Sequence, residues 1–276
     1  MKSTRNRIPY LAIMLSIPLL LLQFSCVKEK DGDNSFNLFT IQDDINLGNQ
    51  IAMEIESDPV AYPLLDESQY SDAYTHLNRV VDAILNTNLV AYDNTFPWEA
   101  KIIHDDAAIN AFATPGGHIY FYTGLIKELD NEAQFAGVAA HEIAHCARRH
   151  TTDQLTKAYG LSILISIVLG EDPSALEQLA ADLAGGLASL AFSRKDEYEA
   201  DAYAVKYLSS TTYHPLGLAD FFNKLENMSI FPIFLSTHPS PEDRIEKINE
   251  AWETYGSKVG EYYEVRYQDF KNSLPN

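Results

Sequence analysis

The chain has 276 residues, of which 46% are hydrophobic, so it can form a packed core and is not expected to be disordered. Its 39 acidic and 20 basic residues give a net charge of −19, which disfavours nucleic acid as a partner because the phosphate backbone would be repelled. The two cysteines, Cys26 and Cys146, exclude a disulfide-rich scaffold.

The N-terminus predicts export. Basic residues precede a short apolar run, Leu11 to Leu22, which is too short to span a bilayer and is typical of a signal peptide. A small residue, Ser25, directly precedes Cys26, as in a bacterial lipobox. We predict a signal peptide over 1–25 and a lipidated Cys26 with a polar tether over 26–37. The lipid would anchor the protein to the cell envelope, at the outer membrane facing the periplasm. The alternatives are an ordinary signal peptide with an incidental cysteine and an uncleaved N-terminal anchor.

Residues 38–276 are predicted to form a single domain. Helical periodicity over Ile41–Ile55 and Tyr70–Leu85 predicts two helices. A strand is predicted at Trp98–His104, followed by two strands joined by the turn Pro115–Gly117.

The rest of the chain is predicted to be mainly helical. Asn131, with a glutamine three residues later, resembles a capping box and predicts a helix that ends at about His150. Helices are also predicted at Ala175–Ala191 and Arg194–Leu208, before prolines break the C-terminal third into short helices and loops. The apolar run Leu161–Leu169 is either core or a flap over a cleft. The predicted fold class is therefore α+β, mostly helical with a small sheet.

The helix that begins at Asn131 carries a metal-binding pattern, His141-Glu142-Ile143-Ala144-His145, or H-E-x-x-H. Histidines four residues apart lie on one face of a helix and can bind one zinc ion. Glu142 is then directed at a zinc-bound water rather than at the metal. The other residues of Phe135–Ala147 carry no charge, so this helix is predicted to be buried nearly all round. Cys146 is predicted to be a buried core thiol.

Zinc needs a third protein ligand. The metzincin pattern is excluded because Arg148 and Thr151 stand where it requires glycine and histidine. His150 lies too far around the same helix from His145 to share the metal. A carboxylate further along the chain is the better option.

The predicted helix Arg194–Leu208 offers two such carboxylates. Glu197 and Asp201 fall on its apolar stripe, where an unpaired charge is disfavoured. We predict that Glu197 is the third ligand and that Asp201, one turn on, orients a ligand imidazole from behind. Asp196 and Glu199 fall off the stripe and are predicted to be solvated. An exposed acidic helix face is the alternative interpretation.

Three separated stretches, Asn110–Tyr120, the motif His141–His145 and Glu197-x-x-x-Asp201, occur in this order. Together they resemble the HtpX-like gluzincin metallopeptidases, which are relatives of the CaaX prenyl endopeptidases and of the mitochondrial inner-membrane stress protease. The resemblance is to the soluble lipoprotein branch of the bacterial envelope. It extends over Phe39–Lys247.

The resemblance implies a zinc endopeptidase with a zincin-like core and one Zn²⁺ per chain. His141, His145 and Glu197 would bind the zinc, Glu142 would be the general base, and Asp201 would hold a ligand from behind. The implied substrates are misfolded or misassembled polypeptides of the cell envelope.

The resemblance also leads to candidates for substrate binding and for stabilising the tetrahedral oxyanion. The strand His118–Tyr122 matches the part of the sheet beside the active-site helix, where an edge strand could pair with an extended substrate. His238, in a His-Pro and Arg pattern that the family also carries, is a candidate oxyanion donor. It could instead cap the zinc and hold the enzyme closed, or be a turn residue without a role. Weaker candidates for the donor are Tyr203, Tyr213 and His214.

Two other classes of function remain open at this point. A chaperone or adaptor could use the cleft to bind polypeptide without turnover, although pure binding does not require a general base such as Glu142. A structural lipoprotein could use the metal only for stability, in which case the site would be closed by four protein ligands.

Overall fold

The computed structural model describes residues 37–158, 173–186, 191–226, 233–238 and 243–275. The helices are α1 (Ile41–Ser57), α2 (Ser71–Leu85), α3 (Thr123–Glu128), α4 (Glu132–Ala147), α5 (His150–Ala158), α6 (Pro173–Gly186), α7 (Arg194–Leu208), α8 (Gly217–Glu226), α9 (Phe234–Thr237), α10 (Arg244–Thr254) and α11 (Glu264–Asn272). The strands are β1 (Glu99–Ile103), β2 (Ala111–Ala113) and β3 (His118–Tyr122). The predicted α+β class, mostly helical with a small sheet, is confirmed.

The first helix begins where the sequence offers a cap. The Thr40 side chain accepts a hydrogen bond from the Asp43 backbone, and the Asp43 carboxylate accepts one from the Thr40 backbone at 2.7 Å. Leu47, Ile51 and Ile55 then form a fully buried stripe. The helix predicted at Ile41–Ile55 is therefore confirmed.

The sheet has the strand order β1-β3-β2, with β1 parallel and β2 antiparallel to β3. The turn between β2 and β3 requires glycine. Gly116 has φ 77°, and a Cβ there would lie 2.8 Å from the Asp44 carbonyl oxygen of α1. Gly117 has φ 107° and lies against Phe96. The predicted pair of strands joined by this turn is confirmed.

Helix α4 lies in the centre of the core, and all of its 16 residues are buried. Asn131 caps it by accepting a hydrogen bond from the Gln134 backbone at 3.0 Å. The prediction of a helix buried all round is confirmed, but its predicted end near His150 is wrong. Arg149 adopts φ 60° and donates to the Phe39 carbonyl and the Asp44 carboxylate, so the chain turns there before α5 begins.

Two apolar clusters hold the elements together. The larger surrounds α4 and includes the buried thiol of Cys146, as predicted. The smaller joins α1 to α6 and the outer side of the sheet, where Phe112 and Tyr120 stack with ring centroids 4.9 Å apart. The helix predicted at Ala175–Ala191 is observed as α6. Residues 187–190, which follow α6, lie outside the described part of the chain.

Some predictions fall on residues that the structure does not describe. The signal peptide, Cys26 and the apolar run Leu161–Leu169 lie outside the described residues. Among those that are described, no helix combines the length and the apolar character needed to cross a membrane.

Candidate metal centre

Helices α4 and α7 pack against each other and bring the predicted ligands together. His145 Nε2 lies 3.0 Å from His141 Nε2, and each of these nitrogens lies 3.5 Å from an oxygen of Glu197. With His238, these side chains place four potential donor atoms within 4.8 Å of one another. All four residues are at most 2% exposed, so water cannot solvate their charges.

The donor set fits zinc. Imidazole nitrogens and one carboxylate oxygen are ligands that Zn²⁺ prefers, and three or four of them match its usual coordination number. Glu142, on the same helix, is 1% exposed, and both of its carboxylate oxygens are buried without a hydrogen bond among the described residues. A buried carboxylate in that condition is expected to face a further polar group.

Asp201 lies behind His141, as the sequence predicted. Its Oδ1 is 2.9 Å from His141 Nδ1, on the opposite side of the ring from Nε2. Arg244 of α10 donates to both oxygens of Asp201, at 2.7 and 2.6 Å, and its Nη1 lies 2.9 Å from Glu197 Oε2. Such bidentate hydrogen bonds from an arginine fix the orientation of the carboxylate and stabilise its negative charge.

Arg244 is a site residue for which the sequence analysis assigned no role. It is fully buried and begins the apolar stripe of α10 that continues with Ile248. An arginine on the apolar stripe of an amphipathic helix predicts a buried acidic partner, and this signal was present in the sequence.

His238 follows α9 directly and lies inside the cluster. Its Nδ1 is 3.2 Å from Glu197 Oε1 and 3.2 Å from His141 Nε2. Its Nε2 is 3.3 Å from Glu142 Oε1, and its carbonyl accepts a hydrogen bond from Arg244 Nη1 at 3.3 Å. His238 therefore stands where a fourth ligand would be.

The surroundings shift the pKa values of the two motif histidines, His141 and His145, in opposite directions. Burial alone would lower the pKa of His141, but hydrogen bonds to Asp201 and Glu197 outweigh it and raise the pKa to about 9. Burial and the neighbouring charge of His141 hold the pKa of His145 well below its usual value.

The pKa values of the three carboxylates at the site, Glu142, Glu197 and Asp201, also differ in the direction of their shifts. Burial raises the pKa of Glu142. Burial would also raise that of Glu197, but His238 and the other imidazoles hold its pKa well below the ordinary range. Arg244 likewise overcomes burial and keeps the pKa of Asp201 low. Burial thus favours proton uptake by Glu142, while the neighbours of Glu197 and Asp201 favour their ionised forms.

Of the two acidic residues predicted to be solvated, Asp196 is buried and Glu199 is half-buried and paired. Asp196 is 7% exposed, and its carboxylate accepts from Ser193 in a capping box at the start of α7. Glu199 accepts from Arg148 Nε at 2.7 Å. The spacing Ser193-x-x-Asp196 was a cap signal in the sequence, whereas the partner of Glu199 depends on the chain reversal after α4.

The weaker candidates for the oxyanion donor lie elsewhere. The Tyr213 hydroxyl is hydrogen-bonded to Glu132 at 2.7 Å, at the first turn of α4 and about 13 Å along the helix from His141. His214 is stacked on Tyr262, whose carbonyl accepts from the same first turn. A donor role for these two residues is therefore wrong. Tyr203 packs against the Arg148 guanidinium.

Among the described residues, the edge of the sheet beside α4 belongs to β2 rather than to the predicted strand His118–Tyr122. That strand, β3, is paired on both sides and has no free edge. β2 contacts α4 and, within the described part of the chain, is paired on one side, so it is the strand beside α4 whose backbone groups could pair with an extended peptide. At its start, Ile109 accepts a hydrogen bond from Phe234 of α9 at 3.0 Å.

Comparisons with known proteins agree with this geometry. A model of peptidase family M48 matches residues 71–252. The chain is 30% identical over 176 residues to the beta-barrel assembly-enhancing protease of Yersinia pestis, covering 58% of this chain and 36% of that protein. It is 31% identical over 156 residues to the mitochondrial metalloendopeptidase OMA1 of Arabidopsis thaliana, covering 56% of this chain and 31% of that protein. The chain thus spans about a third of the length of these relatives.

Proposed function

The chain belongs to peptidase family M48, and from this membership we propose that it is a zinc-dependent endopeptidase that hydrolyses peptide bonds in polypeptides. The observation that carries the proposal is the buried cluster of His141, His145 and Glu197 with the carboxylate of Glu142 beside it. Two imidazoles, a carboxylate and a separate general base are the groups that this chemistry requires.

Each residue then has a distinct task. His141, His145 and Glu197 would hold a zinc ion, which supplies a Lewis acid for the scissile carbonyl and for water. Glu142 accepts a proton from the attacking water and donates it to the leaving nitrogen. The pKa of Glu142, which burial raises, favours the uptake of a proton from water that this role requires. Asp201 keeps the His141 ring in orientation through Nδ1.

The substrate class and location are part of the proposal. One relative is named as a protease that enhances β-barrel assembly and another as a mitochondrial metalloendopeptidase, which favours protein substrates. We therefore expect misfolded or misassembled envelope proteins as substrates. The signal-like residues 1–25 and Cys26 support export and lipid anchoring at the outer membrane.

The test begins with zinc content. The protein purified without added metal or chelator is expected to contain about one zinc per chain, and a His141→Ala, Glu197→Ala double variant is expected to contain none. Glu142→Gln should retain zinc but cleave an unfolded polypeptide about 10²–10⁴-fold more slowly than the wild type. The exposed Glu67→Gln is the control and should match the wild type.

Three results would contradict the proposal. No zinc, with no uptake by the folded protein, would exclude the peptidase. Full cleavage by Glu142→Gln would exclude the assigned base. Full biological function in a cleavage-deficient Glu142→Gln variant would instead favour polypeptide binding without turnover.

One observation favours a second candidate, a structural zinc site. His238 supplies a fourth donor, and a site closed by four protein ligands is typical of structural zinc. In the peptidase, the same contact is a closed state that must open for substrate. His238→Ala is therefore expected to keep zinc and to cleave an unfolded polypeptide several-fold faster than the wild type. Slower cleavage would instead make His238 the oxyanion donor, and no cleavage by either protein would favour the structural site.

A further inference from the structure

A third histidine, His150, lies directly behind the motif histidine His145. Helix α4 ends at Ala147, and the positive φ of Arg149 reverses the chain so that the first residue of α5 faces back toward α4. His150 Nδ1 is 2.9 Å from His145 Nδ1, and the two rings are nearly perpendicular, with an interplanar angle of 77°. His150 is not among the four clustered donors, in line with the expectation that it does not share the metal, but it lies in the next helix rather than in the same one.

The other side of His150 faces a fixed carboxylate. Its Nε2 lies 3.6 Å from Glu199 Oε2, while Glu199 Oε1 accepts from Arg148 Nε at 2.7 Å. His150 is 3% exposed, so these groups, rather than water, surround its ring. The three residues form a row that runs from Arg148 through Glu199 to the imidazole behind His145.

The His145 ring is held from a second direction. Phe192 stacks on it with ring centroids 4.1 Å apart and an interplanar angle of 28°. Stacking restricts tilting of the ring but leaves it free to turn in its own plane. A contact at Nδ1 removes that remaining freedom.

The short distance between the two Nδ1 atoms limits the possible tautomers. One nitrogen must donate and the other must accept. If His150 donated, the proton of neutral His145 would sit on Nε2, which faces His141 Nε2 at 3.0 Å. If His145 donates, its Nε2 lone pair points into the donor cluster, as metal binding requires.

We infer that His150 is a positioning residue for the metal ligand His145, accepting a hydrogen bond from His145 Nδ1–H, with Glu199 favouring the proton on His150 Nε2. The inference rests on the proposed zinc site. It gives each motif histidine its own partner, since Asp201 occupies the corresponding place behind His141.

The test compares two substitutions of similar size. His150→Leu fills the space without an acceptor, whereas His150→Asn keeps an oxygen acceptor near the position of Nδ1. Zinc dissociation constants are measured by chelator competition. His150→Leu is expected to bind zinc about 10–100-fold more weakly than the wild type, and His150→Asn within a few-fold of it.

A buried histidine elsewhere is the matched control. His118 lies 3.1 Å from Asn49 and 3.3 Å from Glu99, outside the donor cluster, so His118→Leu should leave zinc affinity unchanged. Thermal unfolding of the metal-free variants measures any structural loss. A role in packing alone predicts that both His150 variants lose stability while zinc affinity stays near that of the wild type.

A measurement on the unchanged protein keeps the test decisive if His150→Leu does not fold. In the zinc-loaded wild type, nitrogen NMR of the imidazoles is expected to find protons on His145 Nδ1 and on His150 Nε2. A proton on His150 Nδ1 would overturn the inference, as would equal zinc affinity of wild type and His150→Leu. If the wild type binds no zinc, the proposed function fails instead, so the two failures are distinguishable.

Discussion

Arg244 connects three polar residues of the site with one aromatic ring. It donates to Asp201, lies 2.9 Å from Glu197, donates to the His238 carbonyl and rests on the Phe222 ring, with its Cζ 4.3 Å from the ring centroid. The guanidinium therefore compensates two buried carboxylates at once. Removing one partner of a buried ion pair destabilises a protein far more than the intact pair stabilises it. The arginine is therefore needed for folding as well as for the geometry of the site.

At the residue scale we predict that Arg244→Leu lowers the free energy of unfolding by about 3–5 kcal/mol, because Asp201 and Glu197 are left buried with uncompensated charge. Arg244→Lys keeps the charge but loses the forked contact, and it should cost less. Denaturant unfolding of the metal-free proteins measures both losses. Equal stability of the wild type and Arg244→Leu would show that the carboxylates are neutralised in some other way.

Among the elements, α4 is surrounded on all sides because glycine permits close helix contact. A Cβ at Gly137 would lie 2.4 Å from the Leu218 backbone nitrogen of α8, and one at Gly217 would lie 2.0 Å from the Ala133 carbonyl oxygen. The two backbones thus touch without side chains between them. This contact fixes the depth at which the motif helix lies in the core.

At the element scale we predict that Gly137→Ala lowers the free energy of unfolding by about 1–3 kcal/mol, because the added methyl group meets backbone that cannot yield. Thermal or denaturant unfolding measures the change. Gly185 in α6 is the control, since a Cβ there would meet no atom of the described residues within 4 Å. Gly185→Ala should stabilise the protein by about 0.5–1 kcal/mol through helix propensity. Similar effects of the two substitutions would contradict this account of the α4 and α8 contact.

Across the whole molecule, Glu132 joins segments that are distant in sequence. This fully buried carboxylate, at the start of α4, accepts hydrogen bonds from Arg79 of α2, Arg266 of α11 and the Tyr213 hydroxyl. Burial alone would raise its pKa, but the two arginines and the tyrosine outweigh it and hold the pKa below the ordinary value. Residues of the N-terminal and C-terminal parts of the described chain, Arg79 and Arg266, therefore contact the same carboxylate.

At this scale we predict a pH-dependent stability difference between the wild type and Glu132→Gln. Because the pKa of Glu132 is lower in the folded protein, its contribution is present above the unfolded value, near 4.5, and is lost as the pH falls through the folded value. Near pH 7 the substitution should cost about 2–3 kcal/mol, and the difference should shrink below about pH 4.5.

Denaturant unfolding of both proteins over this pH range is the measurement. The exposed pair of Lys101 and Glu56 supplies the control, since Glu56→Gln should cost less than about 1 kcal/mol. A constant difference between the wild type and Glu132→Gln down to pH 3 would contradict the assignment.

The sequence by itself determined which helix carries the H-E-x-x-H motif and which acidic residues of a second helix are candidates to lie beside it. Spacing places His141 and His145 on one helix face, and the apolar stripe of a second helix carries Glu197 and Asp201. These inferences needed only helical periodicity and the cost of burying an unpaired charge, both of which are local. The α+β class followed from the same patterns and is confirmed.

Only the tertiary structure decided which residues lie behind the predicted ligands. His150 faces His145 because the chain reverses at Arg149, a conformation stabilised by contacts with α1 more than a hundred residues earlier. Arg244 meets Asp201 only when α10 packs on α7, and β2 becomes the free edge only through strand order. Such contacts join segments far apart in sequence, and periodicity within one segment carries no information about which segment will pack against it.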